Sequence, residues 1–249
     1  MDHLYLVIIL FLLGSLAGFL NIMAGGGSAI TLPVLIFLGL NPAVANGTNR
    51  IAIVIQNISA IYSFKKEDYF EFKESMKLSL FALPGAIIGA FAAVNVDDEI
   101  FKNILGVIMI GIIISMVIPR KKIDTSAKSS PLQKFYLYLG MIGAGFYGGF
   151  VQVGVGFILM ASLHYLGKYN LILVNMHKVF IVLVYNIPAL LIFILSGDIN
   201  WFLGLSLATG NAFGAWWSAK YAVKKGEKAV RIVMMIAIFI MSLKLLNVF

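Results

Sequence analysis

Two basic residues, Arg50 and Lys178, lie inside long apolar stretches of the sequence. A cation within a membrane span costs roughly 2.5–3.5 kcal/mol on insertion scales, so it normally has a compensating partner. All 11 Asp and Glu residues lie in polar links or at the ends of apolar stretches, which leaves no carboxylate at the depth of either cation. A small anion would compensate both cations, and the pattern therefore predicts an anion-binding site.

Two glycine-rich breaks supply a second element of such a site. One break precedes the short apolar stretch 29–38, and the other precedes the stretch 157–166. A helix that begins at a break exposes backbone N–H groups and favours negative charge, and glycine lets the backbone approach a ligand closely. We predict a substrate-binding site built from the two cations, the breaks and nearby polar residues: Arg50, Lys178, Asn49, His177, Gly25, Gly26, Gly27, Ser28, Gln56, Asn57, Gln152, Gly154 and Asn186.

A structural interpretation of the same residues stays open beside this one. Arg50 lies only about one turn into its apolar stretch, so it could reach the membrane interface or cap helix carbonyls. His177 could carry a proton or only hydrogen-bond its neighbours. The spaced pairs Gly85/Gly89 and Gly210/Gly214 are typical of close helix packing, for which we take them.

The composition sets the class of protein that must position these residues. Apolar residues make up 61% of the 249, charged residues only 12%, and mean hydropathy is +0.96. These values exclude a soluble enzyme, a disordered chain and a disulfide scaffold, and cysteine is absent. Eight apolar stretches reach the roughly 20 residues that a spanning helix needs, and two are about half as long. The sequence predicts an all-α polytopic membrane protein with helices near 4–24, 29–38, 46–64, 76–94, 100–118, 132–151, 157–166, 171–195, 199–222 and 229–248.

The two halves of the chain resemble each other. Gly18-Phe19, the glycine break, Leu38-Gly39 and Asn49-Arg50 recur, at offsets of 127 to 129 residues, from Gly145-Phe146 to His177-Lys178. Arg50 and Lys178 therefore hold equivalent positions. We predict a first repeat at 1–118, a cytoplasmic linker at 119–131 and a second repeat at 132–249, each repeat being a glycine-broken helical hairpin followed by three transmembrane helices.

The distribution of Lys and Arg predicts how the halves are oriented. The loops 65–77, 119–134, 167–170 and 220–231 hold 15 of the 19 basic residues. They share one side only if each glycine-broken segment enters and leaves the membrane on that side, and the positive-inside rule makes that side cytoplasmic. The halves then have opposite orientations, as in secondary transporters, and both termini lie outside. Inverted symmetry would bring the two cations together near the midplane.

The motifs around the first break also indicate a family. Gly18-Phe19-Leu20, Ala24 to Ser28, Leu32-Pro33-Val34-Leu35 and Ala45 to Arg50 resemble the pattern of the sulfite exporter TauE/SafE family, and Gly145 to Gly149 with Asn175 to Lys178 is similar to its weaker second motif. The resemblance covers nearly the whole chain. It implies a multi-pass protein of the cytoplasmic (inner) membrane that moves sulfite, thiosulfate or organosulfonates.

The sequence thus predicts a secondary transporter for a small sulfur-containing anion that works by alternating access. An anion channel and a carrier for small carboxylates remain as alternatives. An intramembrane enzyme would need a nucleophile–base pair or a metal cluster at depth, and the apolar stretches contain neither, so we expect no enzymatic activity, metal or cofactor. The expected partners are a small anion and the lipid bilayer, with no nucleic acid, and a homodimer is left open.

Overall fold

The structure is a computed structural model that describes residues 3–117 and 129–221. In those two ranges every regular element is a helix, which confirms the all-α prediction there. The tail of the first repeat, most of the linker and the last predicted span, 229–248, lie outside the described residues. In chain order the helices are α1 (His3–Ala24), α2 (Ser28–Phe37), α3 (Pro42–Lys66), α4 (Phe72–Val94), α5 (Asp98–Val117), α6 (Pro131–Phe150), α7 (Val155–Ala161), α8 (Leu171–Leu195) and α9 (Trp201–Tyr221).

Three described segments are both long and apolar enough to cross a membrane: Leu4–Ala24, Phe72–Val94 and Leu171–Leu195. The helices α3, α5, α6 and α9 have 25, 20, 20 and 21 residues, which is also about the length of a span. Large apolar side chains cover the outer faces of the helices, and Leu4, Ile88 and Leu191 are more than half exposed. Such a surface suits lipid rather than water.

Both glycine breaks interrupt the helices as predicted. α1 ends at Ala24, and Gly25 takes a left-handed conformation with φ +84° before α2 begins at Ser28. After α6, Gln152 and Gly154 are also left-handed, with φ +66° and +74°. The second short helix begins at Val155, two residues earlier than expected, because the left-handed Gly154 lies directly before its first turn. Its continuation, Ser162–Leu166, widens into a π-helix.

Glycines bring the helices of the two halves into direct contact. A Cβ atom on Gly85 or Gly89 of α4 would collide with backbone carbonyls of α6, and one on Gly210 or Gly214 of α9 would collide with carbonyls of α1. These contacts confirm the packing interpretation of both glycine pairs. α4 therefore packs closely on α6, and α1 on α9, so each half of the chain is held by helices of the other half.

Candidate functional site

The two breaks meet in the interior of the protein. Gly25 and Gly156 touch through their backbones: a Cβ atom on Gly25 would lie 2.6 Å from the carbonyl carbon of Gly156. Both residues are buried. Only glycine fits at this crossing, because Gly25 also needs a positive φ angle, which L side chains rarely adopt.

A small cavity borders this contact and has room for about one water molecule. Four of the predicted site residues, Ser28, Asn57, Gln152 and Lys178, line it. They come from α2, α3, the second break and α8, so residues far apart in the chain converge here. The remaining lining residues are Asn21, Ile22, Val155, Gly156, Val179 and Val182.

Lys178 reaches from the cavity wall to the end of α1. Its Nζ donates to the carbonyl oxygens of Asn21 at 3.0 Å and Ile22 at 2.8 Å, and to Oδ1 of Asn175 at 2.8 Å. Carbonyls in the last turn of a helix lack partners within that helix, and α1 ends at Ala24. The ammonium thus caps α1 while its side chain borders the cavity.

Arg50 makes the corresponding contacts at the end of α6. One terminal nitrogen donates to Gln152 Oε1 at 2.9 Å and to Asn186 Oδ1 at 2.8 Å. The other donates to the carbonyl oxygens of Gly148, at 3.2 Å, and Gly149. The guanidinium is fully buried. Its hydrogen bond to Gln152 connects it to the cavity wall. Arg50 therefore has the capping role that the sequence left open. To pair with an anion, as predicted, the guanidinium has to give up some of these hydrogen bonds.

Several buried polar side-chain atoms on α3 lack a hydrogen-bond partner. Among the described residues, eight buried side-chain polar atoms have no hydrogen-bond partner, and four of them are donors on α3: Asn49 Nδ2, Arg50 Nε, Gln56 Nε2 and Asn57 Nδ2. The oxygen of Asn49 accepts from Thr31 at 2.6 Å, and that of Gln56 accepts from Asn211 at 3.3 Å. An unpaired buried donor costs about 1–3 kcal/mol, which an oxyanion would offset.

The other predicted site residues lie around this centre. Asn186 is bonded to Arg50, and Gly26 is buried at the first break. Gly27 packs against α1, and Gly154 against the side chain of Ile112. Their roles in binding stay predictions.

His177 faces a different region from the cavity. Its Nδ1 lies 2.8 Å from Ser75 Oγ, and its Nε2 lies 3.6 Å from Glu71 Oε2 at the start of α4. The structure thus separates His177 from its neighbour Lys178, because successive residues of a helix point about 100° apart.

Sequence reasoning missed six of the wall residues, among them Asn21, Val179 and Val182. Asn21 carried a usable signal, since it is a polar residue four positions before the first glycine of a break. Val182 lies one helical turn after Lys178, a spacing that places both on one face. Nothing else distinguishes the two valines from the apolar residues around them.

Comparisons with known proteins identify the family of the chain. The family model for the sulfite exporter TauE/SafE matches residues 10–245. A probable membrane transporter protein of Haemophilus influenzae is 29% identical over 96% of this chain and 94% of its own length. The probable membrane transporter proteins ORF9 of Sinorhizobium and YfcA of Escherichia coli K12 are each 28% identical, over 97% and 96% of this chain and 93% and 88% of their own lengths. No solved structure matches.

The family match extends over both glycine breaks, both buried cations and the helices that carry them. Its relatives align with the chain almost from end to end and are named as membrane transporters. The chain is therefore a membrane transporter, and it belongs to the sulfite exporter TauE/SafE family.

Proposed function

We propose that the protein is a secondary transporter that moves a small sulfur-containing anion by alternating access, and that the cavity beside Lys178 is its binding site. The anion is sulfite, thiosulfate or an organosulfonate. One observation carries the proposal: four buried N–H donors on α3 lack an acceptor, and one of them, Asn57 Nδ2, belongs to a residue that lines the same cavity as the Lys178 ammonium.

The charge balance supports an anion rather than a neutral substrate. Every hydrogen-bond acceptor that the described residues offer to Arg50 is a neutral amide or carbonyl oxygen. Neutral oxygens solvate a buried cation without cancelling its charge, so the region remains attractive to a negative ion. An oxyanion also offers several acceptors at once, which suits the Asn57 amide of α3 and the Lys178 ammonium of α8, both in the wall of one cavity.

The size of the cavity supports alternating access rather than a pore. Room for about one water molecule is too little for an anion of four or more heavy atoms. The site must widen to admit substrate, and the broken helices provide short segments that can move relative to α3 and α8. A channel would instead need a continuous open path.

We further propose that the two halves, 1–118 and 132–249, are inverted repeats joined by the linker at 119–131 in the cytoplasmic membrane. Two pairs of packed helices support this: Gly18 of α1 contacts α9, and its sequence equivalent Gly145 of α6 contacts α4. The distribution of basic residues supports opposite orientations for the halves, with both termini outside.

Counterflow in proteoliposomes tests the function. Purified protein would be reconstituted with internal unlabelled anion, and uptake of labelled sulfite, thiosulfate, sulfoacetate, sulfate or acetate would be followed. We expect saturable exchange of at least one of the sulfur anions other than sulfate. A flux that never saturates would identify a channel, and saturable exchange of acetate alone would identify a carboxylate carrier; either result would overturn the proposal.

A further inference from the structure

A second buried polar cluster lies between α8 and the start of α4, apart from the anion cavity. Its centre is His177, whose side chain is fully buried. Nδ1 faces Ser75 Oγ at 2.8 Å, and Nε2 faces Glu71 Oε2 at 3.6 Å. The side chain of Glu71 is 50% exposed, so the cluster runs from a closed interior position to open water.

This geometry accommodates the protonated form of His177. A neutral imidazole has one N–H and one lone pair, whereas an imidazolium donates from both nitrogens. Both nitrogens of His177 face oxygen atoms that can accept, whichever tautomer the neutral ring adopts. A proton added to the ring would therefore gain a hydrogen bond to Ser75 and an ion pair with Glu71, as small movements close the gap of 3.6 Å.

The other titratable groups around His177 fit a supporting role. The ring of Tyr169 lies 4.7 Å from the imidazole, centroid to centroid, and its hydroxyl donates to Glu74 Oε1 at 3.0 Å. Burial, reinforced by the Glu74 carboxylate, raises the pKa of Tyr169 above its usual range, so this hydroxyl keeps its proton. The charges around the ring are Glu71 just before α4, Glu74 in its first turn and the neighbouring Lys178. Of these side chains only an imidazole is a common proton carrier in proteins, which singles out His177.

His177 is also coupled by position to the anion cavity. It directly precedes Lys178 on α8, and both side chains are buried in the same turn of that helix. A positive charge on His177 disfavours an empty site beside the Lys178 ammonium and favours an occupied one, since the anion offsets both charges.

We propose that His177 is a proton-binding site through which anion movement is coupled to protons, and that Glu71 connects it to water. The inference rests on the proposed transport function. The proton arrives with the anion from one side of the membrane and binds the lone pair of a ring nitrogen. It leaves by way of the Glu71 carboxylate to water on the other side when the anion departs, so one proton and one negative charge cross together.

Two assays on the same proteoliposomes test this. Counterflow measures anion exchange without a pH gradient, and the second assay measures net uptake driven by an imposed pH gradient. In His177→Gln we expect gradient-driven uptake to fall by about 5- to 150-fold, the usual range of coupling between sites, while counterflow persists. His164→Gln, at a part-buried histidine bonded to the Tyr169 carbonyl, is the matched control and should retain both activities.

A wild-type response to the pH gradient in His177→Gln would overturn the inference, whereas absence of counterflow in the wild-type protein would instead overturn the transport function. If His177→Gln loses both activities, a variant of the half-exposed Glu71 tests the inference instead. Glu71→Gln should slow gradient-driven uptake and keep counterflow, and Glu67→Gln, at an exposed carboxylate just after α3, should change neither. An unchanged pH response in Glu71→Gln would then overturn the inference.

Discussion

Arg50 and Lys178 donate hydrogen bonds to equivalent carbonyl pairs on opposite halves of the chain. Arg50 binds the oxygens of Gly148 and Gly149 near the end of α6, and Lys178 binds those of Asn21 and Ile22 near the end of α1. The offset of 127 residues that relates Gly18 to Gly145 also relates these two carbonyl pairs. Each cation therefore holds the broken helix of the other half.

Lys178 is the cation that borders the cavity, so its charge should matter most for affinity. We expect Lys178→Gln to weaken binding of the transported anion by roughly 10- to 150-fold, the loss of one charge-assisted hydrogen bond. The anion-dependent thermal shift of the purified protein measures this. Lys77→Gln, at an exposed lysine over the ring of Tyr138, is the matched control and should bind normally. Normal binding in both variants would contradict the site.

Arg50 should contribute strongly to stability, because its terminal nitrogens serve four acceptors. In Arg50→Gln, buried carbonyls lose their donor at about 1–3 kcal/mol each, and we expect a clearly lower melting temperature. Arg50→Lys should recover only part of the loss, since a single ammonium cannot reproduce the planar fork. Full thermal stability of Arg50→Gln would show that these bonds are dispensable.

The sequence was sufficient to predict the breaks and the equivalence of the two cations, because glycine runs and charges in apolar stretches are local signals. It predicted an anion as the partner of Arg50, whereas the immediate partners are carbonyls of α6. Those carbonyls belong to glycines about a hundred residues away in the sequence, where no side chain indicates the contact. The sequence also could not predict towards which element the His177 side chain points, since this depends on the packing of α8 against the start of α4.

Gln152 combines a left-handed backbone, with φ +66°, with a hydrogen bond to Arg50 and a place in the cavity wall. Gln152→Ala and Gln152→Gly both remove the amide and should weaken anion binding equally. Glycine also removes the backbone strain, so Gln152→Gly should be the more stable variant by about 1 kcal/mol. Thermal unfolding of the two proteins gives the comparison, and equal melting temperatures would contradict the strain argument.

The predicted orientation can be tested by cysteine labelling, because the chain has no native cysteine. Glu67 is exposed just after α3, and Ser196 is exposed just after α8. We expect an impermeant thiol reagent to label Ser196→Cys in intact cells and to label Glu67→Cys only after lysis. The reverse pattern would show the opposite topology, and labelling of both variants from outside would show that the two positions do not lie on opposite sides of the membrane.

Asp198, in the link after α8, should destabilise the protein at neutral pH. Burial, with a smaller effect of the Asp98 charge, raises the pKa of Asp198 above its usual 3.8. The folded state therefore binds this proton more tightly than the unfolded state. The contribution of Asp198 to the free energy of unfolding consequently falls as the pH rises from the unfolded pKa through the higher folded pKa. Asp198→Asn should melt above the wild type at pH 7, with the gap narrowing near pH 4.

Asp97→Ala, in the link before α5, is the control, because the Asp97 carboxylate accepts from the backbone N–H of Glu99 at 2.8 Å, in the first turn of α5. Loss of that cap should lower stability by about 1 kcal/mol at pH 7. A lower melting temperature in Asp198→Asn as well would show that its charge is stabilising instead.

The exchange of caps between the halves has a consequence for biosynthesis. Arg50 precedes its carbonyl acceptors by 98 and 99 residues, so the ribosome completes α3 well before α6 exists. At about 5–20 residues per second, the guanidinium waits roughly 5–20 s for its partners. During that interval the guanidinium of the nascent first half lacks all four of its acceptors, a state that a membrane interior disfavours until the second half arrives.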